Sequence, residues 1–316
     1  MPSVPFRVIR RLLRTRSIGM PASALLHAVG LDTISRRVSR LSGFVPTIVR
    51  FAVPGLPDAG GVAAMASADS TDEIVRAIWT YGASSFEAPM PELFTRLSRG
   101  AARVLDVGAN SGFYAILAAL ASNGQVDAFD PFPPAQRWLK RNIGLNNLCE
   151  RVHLYPVAVG KESGEARLYV PTKDFGDVLE TAASLSPSFR ERHSDVLTVR
   201  VVALDDHVRD NAITRVDVLK IDVESQEHLV LQGASLLIAQ LRPIIFLEVL
   251  DRGDSKALDE IRAKHGLVPF CMGHESLVRY GSVCARPEGR NQVLCPPDKI
   301  DLLEGAAREI GIAVRH

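Results

Sequence analysis

From residue 103 onward the chain alternates short apolar runs with longer amphipathic stretches, and this alternation is its strongest folding constraint. Runs at 104–107, 126–129, 152–159, 216–223 and 244–249 read as strands. The stretches 113–121, 134–145 and 255–264, with others reaching to 241, read as helices. Further strands are expected at 167–170 and 197–203, around a polar excursion, and near 268 and 293. Strands alternating with helices build a mostly parallel sheet covered on both faces, because each crossover helix packs back on the sheet. The expected class is therefore α/β.

Ahead of this region, 47–53 and 62–65 read as a β-hairpin around the turn Pro54-Gly55-Leu56-Pro57-Asp58. Thr71 is expected to cap a helix with Asp72 and Glu73 in its first turn, and Pro91 to open another that stops at Gly100. Nearer the start, Phe6, Ile9 and Leu13 share one helical face among arginines. Pro21 suits a helix start and Gly30 a stop, and Asp32 suits the cap of a helix with Ile34, Val38 and Leu41 on one stripe, closed by Gly43.

Charge divides the chain. Residues 1–50 hold nine Arg, no Lys and one acid, Asp32, whereas the whole chain is +1, so the remainder carries a net −7. A near-neutral total argues against a dedicated nucleic-acid binder. No apolar run approaches the ~18 residues of a membrane span. The basic head lacks a secretory apolar core, and the four cysteines lack Cys-x-x-Cys spacing, so reduced thiols and a cytoplasmic setting are expected. The head suits a peripheral helix touching anionic lipid, an acidic glycan or a second subunit, and equally an Arg-rich packing extension.

The segment with the most chemistry is Val104-Leu105-Asp106-Val107-Gly108-Ala109-Asn110-Ser111-Gly112. It runs strand, turn, helix, which puts the turn at the carboxyl end of a strand, where open α/β sheets bind ligands. Its G-x-x-x-G spacing lacks the G-x-G-x-x-G of a dinucleotide cradle, which disfavours a dehydrogenase. Asp106 suits a cationic ligand such as S-adenosylmethionine, with its ammonium and sulfonium. Asp130 ends the second strand, where a carboxylate can accept both ribose hydroxyls of an adenosine. A structural turn and a helix cap are the plainer readings of these two features.

These segments, with 128–131 (AFDP), 140–148 (KRNIGLNNL), 157–168 (VAVGKESGEARL), 204–208 (LDDHV) and 218–233 (VLKIDVESQEHLVLQG), resemble the FkbM-type S-adenosylmethionine-dependent methyltransferases. The resemblance covers about residues 84–297. It implies a seven-stranded Rossmann-like sheet with an antiparallel last strand; the expected division of the chain is a basic helical extension (1–46), a hairpin and helix (47–83) and the methyltransferase domain (84–316). It also implies S-adenosylmethionine contacts at Asp106, Gly108, Ala109, Asn110, Gly112, Asp130 and Pro131, with Glu87 over the methionine end. Asp130 stands where the family more often has Glu, and Ser225 where it usually has Gly.

Methyl transfer needs an aligned acceptor and a group to take its proton. Lys220, Asp222 and Glu224 alternate at the end of a strand and are the catalytic candidates; His228 reads as an ordinary surface residue. Asp205-Asp206-His207 resembles metal ligands, but Val208 and the family pattern favour helix capping, so no metal is expected. The resemblance implies a hydroxyl acceptor on a sugar, glycolipid or secondary metabolite. An amide-nitrogen acceptor and a non-catalytic binding role stand as alternatives. Residues 176–195 read as a substrate lid or a surface insertion.

Overall fold

The computed structural model describes residues 22, 24–26, 28–42, 45–56, 61–66, 72–171, 183–186 and 193–316. The expected Phe6 face, the Pro21 start and the Gly43 stop lie outside these residues, as does most of the 176–195 insertion. Helix α1 (Asp32–Ser42) begins at Asp32, and the Ile34 and Ser35 N–H groups both donate to the Leu31 carbonyl. Strands β1 (Ile48–Ala52) and β2 (Val62–Ala66) form the expected antiparallel hairpin. Helix α2 (Glu73–Tyr81) is capped by Asp72, whose carboxylate accepts the Val75 N–H, one residue later than the Thr71 cap expected. Helix α3 (Met90–Ser98) carries Pro91 in its first turn.

The main α/β unit follows as β3 (Arg103–Val107), α4 (Phe113–Ala121), β4 (Gln125–Phe129), α5 (Pro133–Leu145) and β5 (Val152–Tyr155). Next come β6 (Ala158–Val159), β7 (Gly164–Pro171), β8 (His193–Val202), α6 (Leu204–Asp210) and β9 (Val218–Ile221). The remainder is α7 (Glu227–Gln232), α8 (Ser235–Leu241), β10 (Ile244–Glu248), α9 (Ser255–Lys264), β11 (Val268–Met272), β12 (Ser276–Arg279), β13 (Asn291–Cys295), α10 (Ile300–Glu309) and β14 (Ala313–Arg315). The single expected strand at 152–159 is two pieces broken at Pro156, which has no N–H for a ladder.

The large sheet has the order β14-β12-β11-β13-β10-β9-β3-β4-β5. Strands β10, β9, β3, β4 and β5 are parallel, and β13 runs antiparallel to β10. The sheet has nine strands rather than seven, because β12 and β14 continue it beyond β11 and cover an edge that would otherwise expose unpaired backbone groups. Strands β6, β8 and β7 form a separate small sheet, with Leu168 opposite Leu197.

Alternate side chains divide the core into two layers. Val104, Val126, Val218 and Phe246 pack with the hairpin, α2–α5 and α10; Leu105, Val107, Leu219, Ile221 and Leu247 pack with α6–α9. Burying each Leu- or Phe-sized side chain contributes about 1.5–3 kcal/mol, which fixes the strand register. Asn142 of α5 and Asn146, at its C-terminal cap, tie the hairpin to this unit. Asn142 accepts the Ala66 N–H and donates to the Ser111 carbonyl, and Asn146 accepts the Ala64 N–H and donates to its carbonyl. Among the described residues no helix is long and apolar enough to cross a membrane.

Candidate active site

The carboxyl ends of β3, β4, β9 and β10 open on a cavity of about 260 Å³. At the end of β3, Gly108 turns the chain with φ +80°, and any Cβ there would run into the Asp222 carbonyl oxygen. Asn110 (φ +51°) and Gly112 (φ +93°) also take the left-handed region, as the sequence suggested for Asn110. A Cβ on Gly112 would strike the Leu139 side chain, so this glycine lets α4 pack close to α5. Gly108 and Ala109 both donate to the Phe129 carbonyl, which locks the turn to the end of β4.

Asp130 follows β4. Its Oδ2 accepts the Asn110 N–H at 2.8 Å and its Oδ1 the Phe132 N–H at 2.8 Å. Burial raises its pKa to about 6, although both N–H groups pull it down. The same carboxylate therefore orders the glycine turn and faces the cavity beside Pro131.

On the neighbouring strands, parallel register sets Asp106 of β3 beside Lys220 of β9, on the same face as Phe246 of β10. Lys220 Nζ lies 3.9 Å from Asp106 Oδ1, 3.1 Å from Asp222 Oδ2 and 4.8 Å from the centre of the Tyr114 ring. Burial alone would lower the Lys220 pKa, but Asp222, Asp106 and Glu87 together hold it above the ordinary lysine value. Asp106 is fully buried, and neither carboxylate oxygen makes a well-formed hydrogen bond to a described residue. Burial pushes its pKa to about 6, against the pull of Lys220 and the Ala115 N–H.

Glu87 (φ +52°) accepts the Tyr114 hydroxyl at 2.6 Å. Burial and the charge of Asp222 raise its pKa, with Lys220 and that hydroxyl opposing them. Thus Glu87, Gly108, Ala109, Asn110, Asp130, Pro131, Lys220, Asp222 and Glu224 all line one cavity, whereas Asp106 and Gly112 lie behind its wall. Lys220 and Asp222 meet as their alternation required. Strand β9 ends at Ile221, and Glu224 sits in a loop at φ +57°, followed by Ser225 at φ +77°. That left-handed conformation gives a physical reason for glycine to be preferred at position 225.

Two acids escaped the sequence reading. Glu248 ends β10 and lines the cavity; burial, then Asp222, Glu87 and Glu227, push its pKa to about 8, with Arg290 opposing. Its signal was an acid closing the apolar run Ile244-Ile245-Phe246-Leu247, at a strand end where such sheets bind ligands. Glu227 is buried, and its Oε1 accepts the Val223 and Ser225 N–H groups, clamping the loop after β9. Burial raises its pKa to about 7.

Other candidates do not join the site. His228 is half-buried rather than a surface residue and lies off the cavity wall. Asp205 accepts the Leu236 and Leu237 N–H groups, so it caps the start of α8 rather than its own helix. Asp206 accepts Ser163 and Arg209, and His207 meets Asp127 at 3.0 Å on the opposite face of the sheet. Among the described residues no His, Cys, Asp and Glu side chains gather as a metal site. Of the insertion, Ala183 and Leu185 line the cavity, and Ser184 donates to the Glu224 carbonyl.

A central parallel run, an antiparallel β13 and a glycine turn facing Asp130 define a Rossmann-like methyltransferase fold. The chain belongs to the FkbM methyltransferase family: the profile of the methyltransferase FkbM domain matches residues 106–266. A segment of the AMB antimetabolite synthetase AmbE of Pseudomonas aeruginosa is 30% identical over 200 residues, covering 52% of this chain and 9% of that protein. The FkbM methyltransferase of Methylobacillus flagellatus KT superposes with a TM-score of 0.41 at 14% identity, covering 70% of this chain and 53% of that one. The O-methyltransferase of Bacillus cereus in complex with SAH gives 0.37 at 14% identity, covering 66% and 80%. The chain thus spans about a tenth of the curated relative and about half of the FkbM structure.

Proposed function

We propose that the chain uses S-adenosylmethionine to methylate a hydroxyl on a sugar, glycolipid or secondary metabolite. The observation carrying this reading is the charge of the cavity: among the described residues Glu73, Glu87, Asp130, Asp222, Glu224 and Glu248 line it with a single lysine, Lys220. An excess of carboxyl groups favours a cationic ligand, and the charge of that ligand in turn favours their ionised form. The residues fit that ligand in detail. Each Asp130 oxygen already takes one backbone N–H and keeps a lone pair for a ribose hydroxyl. Gly108, Ala109, Asn110 and Pro131 bring backbone to the same end of the cavity. Glu87 serves the amino-acid end, and Asp106 acts from behind the wall by holding Lys220 in place.

When bound, the donor supplies an electrophilic methyl group on a positively charged sulfur. The chain's part is to align the acceptor hydroxyl and take its proton while the O–CH3 bond forms. Asp222, oriented by Lys220 at 3.1 Å, and Glu224 stand at the end of β9 for this work. The likeness to part of an antimetabolite synthetase supports keeping secondary metabolites among the acceptors.

The test is methyl transfer. Isotope-labelled S-adenosylmethionine is incubated with the protein and a panel of sugars, glycolipids and hydroxylated metabolites, and products are read by mass spectrometry. Label in an O–CH3 group that disappears with Asp222→Asn supports the reading. Label in an N–CH3 group replaces the acceptor class, and ligand binding with no transfer to any acceptor favours a non-catalytic role.

A further inference from the structure

Helix α1 buries serines and exposes an apolar residue. Ser35 and Ser39 are buried, and Ser39 Oγ accepts the Trp79 indole N–H at 2.9 Å, which holds α1 on α2. The Arg36 guanidinium lies 4.9 Å from the centre of the same indole ring. Ile34, on the stripe expected to be apolar, is instead 48% exposed, and Arg37 is exposed one turn further on. The turns ahead of α1 continue the pattern. Leu25 and Val29, 66% and 61% exposed, share one helical face, with the Val29 N–H donating to the Leu25 carbonyl. Leu31, 47% exposed, donates its N–H to the Leu26 carbonyl and accepts the Ile34 N–H. Four of the nine large apolar side chains exposed among the described residues thus fall within 25–34, and the other five are scattered along the chain. Exposed apolar residues scattered singly are ordinary, whereas a cluster edged by charge marks an interaction surface.

We propose that Leu25, Val29, Leu31 and Ile34, with Arg37 beside them, form a surface that docks on anionic phospholipid, lying in the headgroup layer rather than crossing the bilayer. Charge selects this occupant. Residues 1–50 hold nine Arg against Asp32 alone, while the rest of the chain carries a net −7. Every Lys or Arg position of the head is Arg, whose planar fork matches two phosphate oxygens at once. Aliphatic side chains at the acyl boundary with arginines at the phosphate level are the pattern of helices that lie in a membrane interface. The two parts act together. Shallow insertion of a few aliphatic groups is reversible by itself, and each nearby Arg adds an attraction that fades within a Debye length of the anionic surface. The acidic remainder of the chain is repelled by the same surface, which orients the head toward the lipid. The Trp79 contacts make the surface part of the folded body. Helix α2 carries Trp79 near one end and, about 8 Å along its axis, Glu73 and Ile74 on the cavity wall. The inference is independent of the ligand assigned to that cavity.

Co-sedimentation of the full chain with lipid vesicles tests this. The probes are vesicles of pure phosphatidylcholine and of phosphatidylcholine mixed equally with phosphatidylglycerol. The unsubstituted chain is expected to pellet with the mixed vesicles and to stay in solution with phosphatidylcholine alone, and added salt should release it. Leu25→Ser, Val29→Ser, Leu31→Ser and Ile34→Ser combined should lower the partition coefficient at least about tenfold. Arg37→Glu should lower it about five- to thirtyfold, the effect of losing one cation and adding one anion at the surface. All five side chains are exposed, so both variants should keep the far-UV circular dichroism and unfolding temperature of the unsubstituted chain. Equal pelleting with both vesicle types overturns the inference, as does a partition coefficient that either variant leaves unchanged. Failure to pellet with the mixed vesicles overturns it as well. If sedimentation velocity then shows a dimer that the fourfold variant splits, a second copy of the chain is the occupant of this surface.

Discussion

Asp106 and Lys220 stand side by side on adjacent parallel strands, fully buried, with Nζ 3.9 Å from Oδ1. Neither would be tolerated there alone, since an uncompensated buried charge is strongly destabilising. Lys220→Met is expected to lower unfolding free energy in urea by about 3–5 kcal/mol at pH 8. The loss should shrink below pH 6. Asp106 already titrates near 6 beside Lys220, and without that cation it takes up its proton more readily, relieving the unpaired charge. An equal loss at both pH values would contradict this account of the pair.

Glu248 has a pKa of about 8 where an ordinary glutamate has 4.5, so folding favours its protonated form. Its stabilising contribution is complete below pH 4.5 and is lost as pH rises through 8. Glu248→Gln should therefore melt like the unsubstituted protein near pH 4 and at higher temperature near pH 9. A gain of about 1 kcal/mol would raise Tm by roughly 2–4 °C. Differential scanning calorimetry at the two pH values measures the difference. A variant less stable at pH 9 would mean that Glu248 is held charged in the fold.

Ser225 adopts φ +77°, and its buried Oγ has no hydrogen-bond partner among the described residues. A left-handed conformation costs an L-residue roughly 1–2 kcal/mol, while glycine gives back about 0.5–1 kcal/mol in unfolded-chain entropy. Ser225→Gly is expected to stabilise the protein by about 0.5–1 kcal/mol in urea unfolding. The Ser225 N–H bond to Glu227 is kept, so the loop after β9 should hold its shape. Destabilisation would show that the hydroxyl has a role in the loop.

The sequence made the parallel centre of the sheet legible because its strands are apolar on both faces and its turns carry Gly108 and Gly112. The meeting of Lys220 with Asp222 followed from alternation along one strand. The pairing of Lys220 with Asp106 could not, since it depends on the register between β3 and β9, which lie more than a hundred residues apart. Glu248 was hidden for the same reason: one acid at the end of an apolar run means little until strand order sets β10 beside β9. The edge strands β12 and β14 are short and half-exposed, with weak patterns of their own. Asp205 was read as a local cap, but its carboxylate caps a helix thirty residues further along the chain.

The central claim is that this cavity holds S-adenosylmethionine with Asp130 on its ribose, and calorimetric titration tests it most directly. The unsubstituted chain is expected to bind with a stoichiometry near one. Asp130→Ala should abolish that binding, because it removes the ribose acceptors and the carboxylate that holds the Asn110 and Phe132 N–H groups. Tight binding that Asp130→Ala leaves unchanged, or no binding to the unsubstituted chain, would contradict the account.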